Sequence, residues 1–152
     1  MPIFQGSRFP NHYVMYDKKG RNIDLKPEDP AIHVRDGFLE IVDVPANPKL
    51  GMDTTAGWLA YAMQNDLLFI KRFKVYPDRV YNEVAGLTVS IWYPQDRRVE
   101  LEPIGPRERL KPGESGSFTE EWYLEPFKFP EDRKIDLNRV SEIIDERTSA
   151  PR

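Results

Sequence analysis

The sequence predicts an all-β protein, an antiparallel β-sandwich followed by one short C-terminal helix. Fourteen prolines and nine glycines divide the 152 residues into short segments, which is the spacing typical of strands joined by turns. Within several segments apolar and polar residues alternate with the two-residue period of a half-buried strand. A helical period appears only near the C-terminus, so the helix is expected to follow the sandwich in the chain.

Strands are predicted where these apolar segments lie, over residues 12–16, 31–35, 37–43, 57–63, 66–75, 86–93, 97–102 and 117–124. Polar residues 64–66 separate two of the longest apolar segments. This arrangement predicts a hairpin, because turn residues between two strands favour antiparallel pairing.

Residues 97–124 are the most informative stretch, and their order predicts a strand, a bend, a second strand, a tight turn and a closing strand. Val99 and Leu101 alternate with Glu100 and Glu102, so both carboxylates are expected on the polar face of one strand. The following residues 111–114 contain adjacent proline and glycine, as a β-turn requires.

The end of the chain changes period at Asp136, a plausible N-cap, where apolar residues 137, 140, 143 and 144 fall on one helical face. The division predicted is a sandwich domain over residues 1–128 and a C-terminal extension over 129–152, with the helix at about 136–147. Two interpretations of the helix remain open. It packs on its own sandwich, or it docks a second subunit.

Composition restricts the classes of function. The net charge is −3 and cysteine is absent, so disulfides, thiolate catalysis and cysteine-type zinc sites are excluded. The mixed charges argue against nucleic acid or an anionic membrane as a partner. The first ten residues lack the regions of a signal peptide, and no apolar run approaches the ~20 residues that span a bilayer. We therefore expect a cytoplasmic protein without a metal site or a cofactor.

Two neighbouring cations, Lys71 and Arg72, lie in an apolar segment on alternate faces. One of them must share a face with large apolar side chains, and an unpaired charge there is costly. Glu100 or Glu102 is the expected partner. The pair is then either a structural ion pair or part of a polar site for a sugar or an acid.

Several motifs occur in an order that resembles the C-terminal half of galactose-mutarotase-like proteins, in particular an uncharacterised bacterial branch of that superfamily. The resemblance covers about residues 45–125. It is carried by Lys49-Leu-Gly51, Gly57-Trp-Leu-Ala-Tyr61, Leu68-Phe-Ile-Lys-Arg-Phe73, Tyr81, Leu101-Glu-Pro-Ile-Gly-Pro106, Leu110-Lys-Pro-Gly-Glu-Ser115 and Glu121-Trp-Tyr-Leu124.

The resemblance implies a truncated sandwich of the supersandwich type with sugars bound on its concave face. In this family a Glu serves as general base and a His as general acid in interconverting anomers. The position of that Glu aligns with Ser90, and a serine cannot act as a base at neutral pH. The chain has about half the family's usual length, so it either lacks the first half of the fold or completes its sheet with a second copy.

These observations predict a carbohydrate-binding protein that lacks standard aldose 1-epimerase catalysis, with a carbohydrate or sugar acid as its partner. Lys49, Lys71 and Arg72 would hold the ligand, Glu100 and Glu102 would accept hydrogen bonds from its hydroxyls, and aromatic side chains would form walls. The remaining predicted ligand-binding residues are Trp58, Tyr61, Ser90 and Trp92. Two alternatives stay open: a sugar epimerase, isomerase or lyase with Glu100 or Glu102 as the base, and a structural subunit, with a homodimer as one form.

Overall fold

A computed structural model describes residues 1–94 and 98–149, and within them the chain forms ten strands and one α-helix. In chain order the elements are β1 (Val14–Tyr16), β2 (Ile23–Asp24), β3 (Ile32–Arg35), β4 (Phe38–Ile41), β5 (Lys49–Met52), β6 (Trp58–Met63), β7 (Leu67–Phe73), β8 (Val89–Trp92), β9 (Glu100–Pro103), β10 (Glu120–Pro126) and α1 (Leu137–Ser149). A single 3-10 turn, Val84–Gly86, precedes β8. The fold is an antiparallel, sandwich-like all-β arrangement with a C-terminal helix, as the sequence predicted.

The largest sheet contains five strands in the order β2-β1-β5-β8-β9, with every neighbouring pair antiparallel. Its inner face carries Met15, Leu50 and Ile91, which are almost completely buried. These side chains pack in one cluster with Leu59 and Phe73 from the three-stranded sheet. Burial of this apolar surface is the main force that holds the two sheets together.

The second sheet contains three strands in the order β10-β7-β6 and is apolar on parts of both faces. One face contributes Leu59 and Phe73 to the cluster between the sheets. The other face carries Leu68 and Ile70, which pack against Ile144 and its neighbours on α1. Strand β7 is therefore covered on both sides, which explains its nearly continuous apolar sequence.

Strands β3 and β4 form a separate hairpin whose outer edge is extended by the start of the chain, through a bridge between Pro2 and Phe38. Ile32 and Leu39 of this hairpin enter the cluster between the two larger sheets. The hairpin thereby closes one side of the sandwich.

The eight strands predicted by residue range are all present, although most are shorter than expected, and residue 97 lies outside the described residues. The predicted hairpin is confirmed by the pairing of β6 with β7, and Asp66 takes a positive φ of 64° in its turn. Strands β2 and β5 were not predicted. Glycine interrupts the apolar alternation of β5 at Gly51, and β2 is only two residues long.

One expected strand is wrong: residues 104–119, between β9 and β10, contain no strand. The turn within this segment is confirmed, since the Glu114 N–H donates to the Lys111 carbonyl at 3.0 Å. Proline and charged residues leave the segment without the alternating apolar positions that a sheet would bury.

Helix α1 begins where the sequence predicted, and the Asp136 carboxylate accepts a hydrogen bond from the Arg139 N–H at 3.0 Å, as an N-cap does. Its apolar side chains, including Val140 and Ile143, are buried against the three-stranded sheet of the same chain. The first of the two interpretations of the helix is therefore the observed one.

Candidate functional site

Five of the sequence-selected residues lie on the outer face of the five-stranded sheet, opposite the face that packs against the three-stranded sheet, and four of them are partly exposed. Lys49 on β5 is directly opposite Trp92 on β8, and Trp92 is directly opposite Glu100 on β9. Glu102 lies two residues beyond Glu100 on the same face. Directly opposed residues of antiparallel strands have Cβ atoms about 5 Å apart, so these side chains form one continuous surface.

The ammonium group of Lys49 lies between two carboxylates. Its Nζ is 3.4 Å from Glu102 Oε2 and 3.8 Å from Glu83 Oε1. The Lys49 and Glu102 side chains are 30% and 34% exposed, so both remain accessible to a ligand. We call Lys49, Glu83, Trp92, Glu100 and Glu102 the Lys49 cluster.

Glu83 was missed by the sequence analysis. It precedes the 3-10 turn and reaches the cluster from a loop, so no alternation or spacing marks it. Its carboxylate accepts a hydrogen bond from the Tyr16 hydroxyl at 3.0 Å, which holds the loop over β1. Lys49 Nζ also lies 5.5 Å from the centre of the Tyr16 ring. Tyr16, which is directly opposite Lys49 on β1, therefore contacts both Lys49 and Glu83.

The pKa of the Tyr16 hydroxyl is raised above its ordinary value of 10.0, first by burial and then by the hydrogen bond to Glu83. Both causes disfavour the phenolate, because burial removes its hydration and the carboxylate adds a second negative charge. Tyr16 is consequently a neutral hydrogen-bond donor under ordinary conditions.

This raised pKa predicts a loss of stability in alkali. Above pH ~10 the unfolded chain releases the Tyr16 proton while the native state retains it, so the free energy of unfolding falls as pH rises. The free energy of unfolding can be measured with urea between pH 9 and pH 11, about one unit either side of the ordinary tyrosine pKa. It should fall less steeply with pH in Tyr16→Phe than in the wild type. Tyr61→Phe, which alters an exposed tyrosine, is the control and should retain the wild-type slope. Equal slopes in the wild type and Tyr16→Phe would contradict this assignment.

Ser90 lies on the same face but beneath the surface. It is 1% exposed, and its hydroxyl donates to the Leu50 carbonyl at 3.2 Å. The neighbouring Gly51 is covered by the side chain of Leu87, since a Cβ added at Gly51 would overlap a Leu87 methyl group. Ser90 thus stabilises the sheet and has no hydroxyl at the accessible surface.

Lys71 and Arg72 have different partners from those expected. Lys71 Nζ is 3.0 Å from Glu120 Oε2, and Arg72 pairs with Glu121 at 3.7 Å. The expectation that Glu100 or Glu102 would neutralise them is wrong, because β10 and not β9 lies beside β7.

Lys71 still reaches β9, where its Nζ donates to the Leu101 carbonyl at 2.7 Å. The same Nζ lies 4.7 Å from the centre of the Trp122 ring. With its side chain only 12% exposed, Lys71 is held by a carboxylate, a carbonyl and an aromatic face. These contacts make it an ion-paired residue between the sheets, away from the Lys49 cluster.

Trp58 and Tyr61 lie on β6, where they line a cleft of about 490 Å³ between β4, β6 and α1. The centres of the Trp58 and Phe38 rings are 6.1 Å apart. Tyr93 also lines the cleft, and burial raises the pKa of its hydroxyl, with a smaller contribution from Tyr61. The predicted aromatic residues therefore lie at two different places, Trp58 and Tyr61 in this cleft and Trp92 in the Lys49 cluster.

Within residues 1–94 and 98–149 there is no group of three or more histidine or carboxylate side chains placed to hold a metal ion. Of the helices in these ranges, none has the length and apolar character needed to cross a lipid bilayer.

No protein-family model, curated protein sequence or solved structure matches this chain significantly. The chemistry of the Lys49 cluster is therefore the starting point for function.

Proposed function

We propose that the protein binds a carbohydrate on the outer face of the five-stranded sheet, at the Lys49 cluster. The observation that supports this most directly is the adjacency of an ammonium, three carboxylates and a half-buried indole at the partly exposed part of this face. Carboxylates accept hydrogen bonds from sugar hydroxyls, and an ammonium donates to them. The indole of Trp92 offers an apolar surface for the C–H face of a sugar ring.

The charges of the cluster favour a neutral sugar over a sugar acid. Lys49 Nζ is already within 4 Å of two carboxylates, and Glu100 adds a third on β9. A ligand carboxylate would have to compete with Glu83 and Glu102 for Lys49, while the excess negative charge would repel it. The hydroxyls of a neutral sugar instead donate hydrogen bonds to the carboxylates, which can only accept them.

The proposal includes binding without anomer interconversion. The resemblance to galactose-mutarotase-like proteins is one support for a sugar ligand, and it aligns Ser90 with the general base of that family. Because the Ser90 hydroxyl is buried and donates to a backbone carbonyl, it has no access to a sugar on this face. An epimerase, isomerase or lyase would have to use Glu100 or Glu102 in its place.

Saturation-transfer NMR with neutral hexoses, disaccharides and uronic acids tests the proposal. We expect saturation of neutral sugars, weaker saturation of uronic acids, and unchanged rates of exchange between anomers. Lys49→Ala and Glu102→Ala should each weaken binding about tenfold, the effect of losing roughly one charged hydrogen bond. The matched controls, Lys128→Ala and Glu131→Ala, remove exposed charges from the segment before α1 and should bind as the wild type does.

Three results would overturn the proposal. These are wild-type affinity in both cluster variants, tighter binding of uronic acids than of neutral sugars, or loss of binding in Tyr61→Ala alone, which would place the ligand in the cleft. Accelerated anomer exchange that disappears in Glu100→Gln or Glu102→Gln would instead support the epimerase alternative.

A further inference from the structure

Strand β10 lies at the edge of the three-stranded sheet, with β7 as its only neighbouring strand among the described residues. The residue after β10 shows which backbone groups face β7. The Phe127 N–H donates to the carbonyl of Asp66 in the β6–β7 turn, so the backbone of Phe127 points toward β7. Backbone groups alternate in direction along a strand. Those of Tyr123 and Glu125 therefore point toward β7, and those of Trp122 and Leu124 point outward.

The side chains of Trp122 and Leu124 are also exposed, at 64% and 58%. They lie on the face of the sheet opposite α1, beside Phe69 and Tyr61 in the register of the three strands. The Trp122 and Phe69 rings contact each other edge to face, with their centres 5.6 Å apart. An apolar surface thus borders an edge whose outward backbone groups have no neighbouring strand in the described part of the chain.

Charged residues commonly protect such edges from pairing, but the three carboxylates of β10 are neutralised by cations of the same chain. Glu120 is 3.0 Å from Lys71, and Glu121 is 3.7 Å from Arg72. Glu125 is 2.6 Å from Arg147 at the end of α1. Each carboxylate of β10 would therefore meet a second strand together with its own cation.

We infer that this edge pairs with a second copy of the chain, β10 against β10 in antiparallel register about a two-fold axis at Tyr123. In this register Trp122 is opposite Leu124 of the second copy, and the same pair recurs on the other side of the axis. Both residues direct their N–H and C=O groups outward, so each pair exchanges two backbone hydrogen bonds. Every residue of β10 is opposed, with Glu121 opposite Glu125 and Glu120 opposite Pro126, which has no N–H to donate. The two sheets become one of six strands.

The pattern favours a second copy over an unrelated peptide because it is self-complementary. A two-fold rotation about Tyr123 places the outward N–H groups of Trp122 and Leu124 opposite outward C=O groups of the second copy. It also places the Trp122 indole beside the Leu124 side chain. Isologous contacts of this kind are the commonest basis of homodimers. The inference is independent of sugar binding, since none of the Lys49 cluster lies on β10.

Sedimentation velocity over a wide concentration range tests the pairing. We expect a dimer for the wild type, and a dissociation constant raised about 100-fold or more in Trp122→Lys and in Leu124→Lys, because each substitution acts twice in a symmetric interface. Leu110→Lys, which places the same charge at a leucine that is 52% exposed and off the edge, should remain dimeric. Far-ultraviolet circular dichroism confirms folding of each variant.

Cross-linking tests the register, and the absence of native cysteine makes it specific. Trp122→Cys mixed with Leu124→Cys should form a disulfide, because opposed residues of a hydrogen-bonded pair have Cα atoms about 5.5 Å apart. Each variant alone should cross-link much less. A monomeric wild type, a dimer insensitive to both lysine substitutions, or preferential cross-linking of either variant with itself would overturn the inference.

Discussion

Replacing Ile144 with aspartate is expected to destabilise the protein by about 3–5 kcal/mol and to detach α1 from the three-stranded sheet. Ile144 is 2% exposed and packs in the cluster that contains Leu68 and Ile70. A carboxylate at this position would lose its hydration among aliphatic side chains. Separation of the helix would then expose one apolar face of β7.

Urea unfolding followed by circular dichroism measures this effect. Asn138→Asp is the matched control, since it introduces the same charge at an exposed position of the same helix. The control should differ from the wild type by about 0.5 kcal/mol or less, as surface substitutions usually do. An Ile144→Asp variant with wild-type stability would mean that α1 does not pack on this sheet in solution.

Replacing Gly57 with alanine is expected to lower the free energy of unfolding by about 2–5 kcal/mol, from two separate causes. The residue has a φ of 71°, a conformation that costs an L-residue roughly 1–2 kcal/mol. A Cβ there would also lie 2.8 Å from the Phe73 carbonyl oxygen, a backbone atom that cannot move independently of β7. The Gly57 carbonyl accepts the Phe73 N–H at 2.9 Å, so relief of the contact would disrupt the start of the hairpin.

Gly20→Ala separates the two causes. Gly20 has a similar φ of 64°, but a Cβ added there would meet no atom within 4 Å. The control should therefore lose only the conformational part of the free energy. If both variants lost equal stability in urea unfolding, the close approach of Phe73 to Gly57 would be without energetic effect.

Local features of the fold were predictable because they depend on residues close together in the chain. Asp136 begins a helix because its carboxylate reaches an N–H three residues on. Glu100 and Glu102 share a face because successive strand residues alternate between faces. Neither conclusion requires knowledge of which other strands are nearby.

Strand β5 was missed because its local signal is weak, although Lys49 was selected from the motif that begins it. Gly51 has no side chain to display alternation, and its strand follows a loop that contains Pro45 and Pro48. Its place in the middle of the five-stranded sheet comes from pairing with β1 and β8, which are distant in sequence. Leu87 fills the space above Gly51, a reason for glycine that appears only after folding.

The candidate site divides in the same way. By itself, the sequence determined that Glu100 and Glu102 lie on the same face of a strand and that Lys71 and Arg72 lie on opposite faces. It also determined that a buried cation needs a carboxylate partner. Only the tertiary structure decided that Glu120 and Glu121 are those carboxylates, that Glu83 joins Lys49, and that Ser90 is covered. The direction of a side chain is set by the backbone of its own strand, whereas its partners are set by which strands become neighbours, and that depends on the free energy of the whole packed chain.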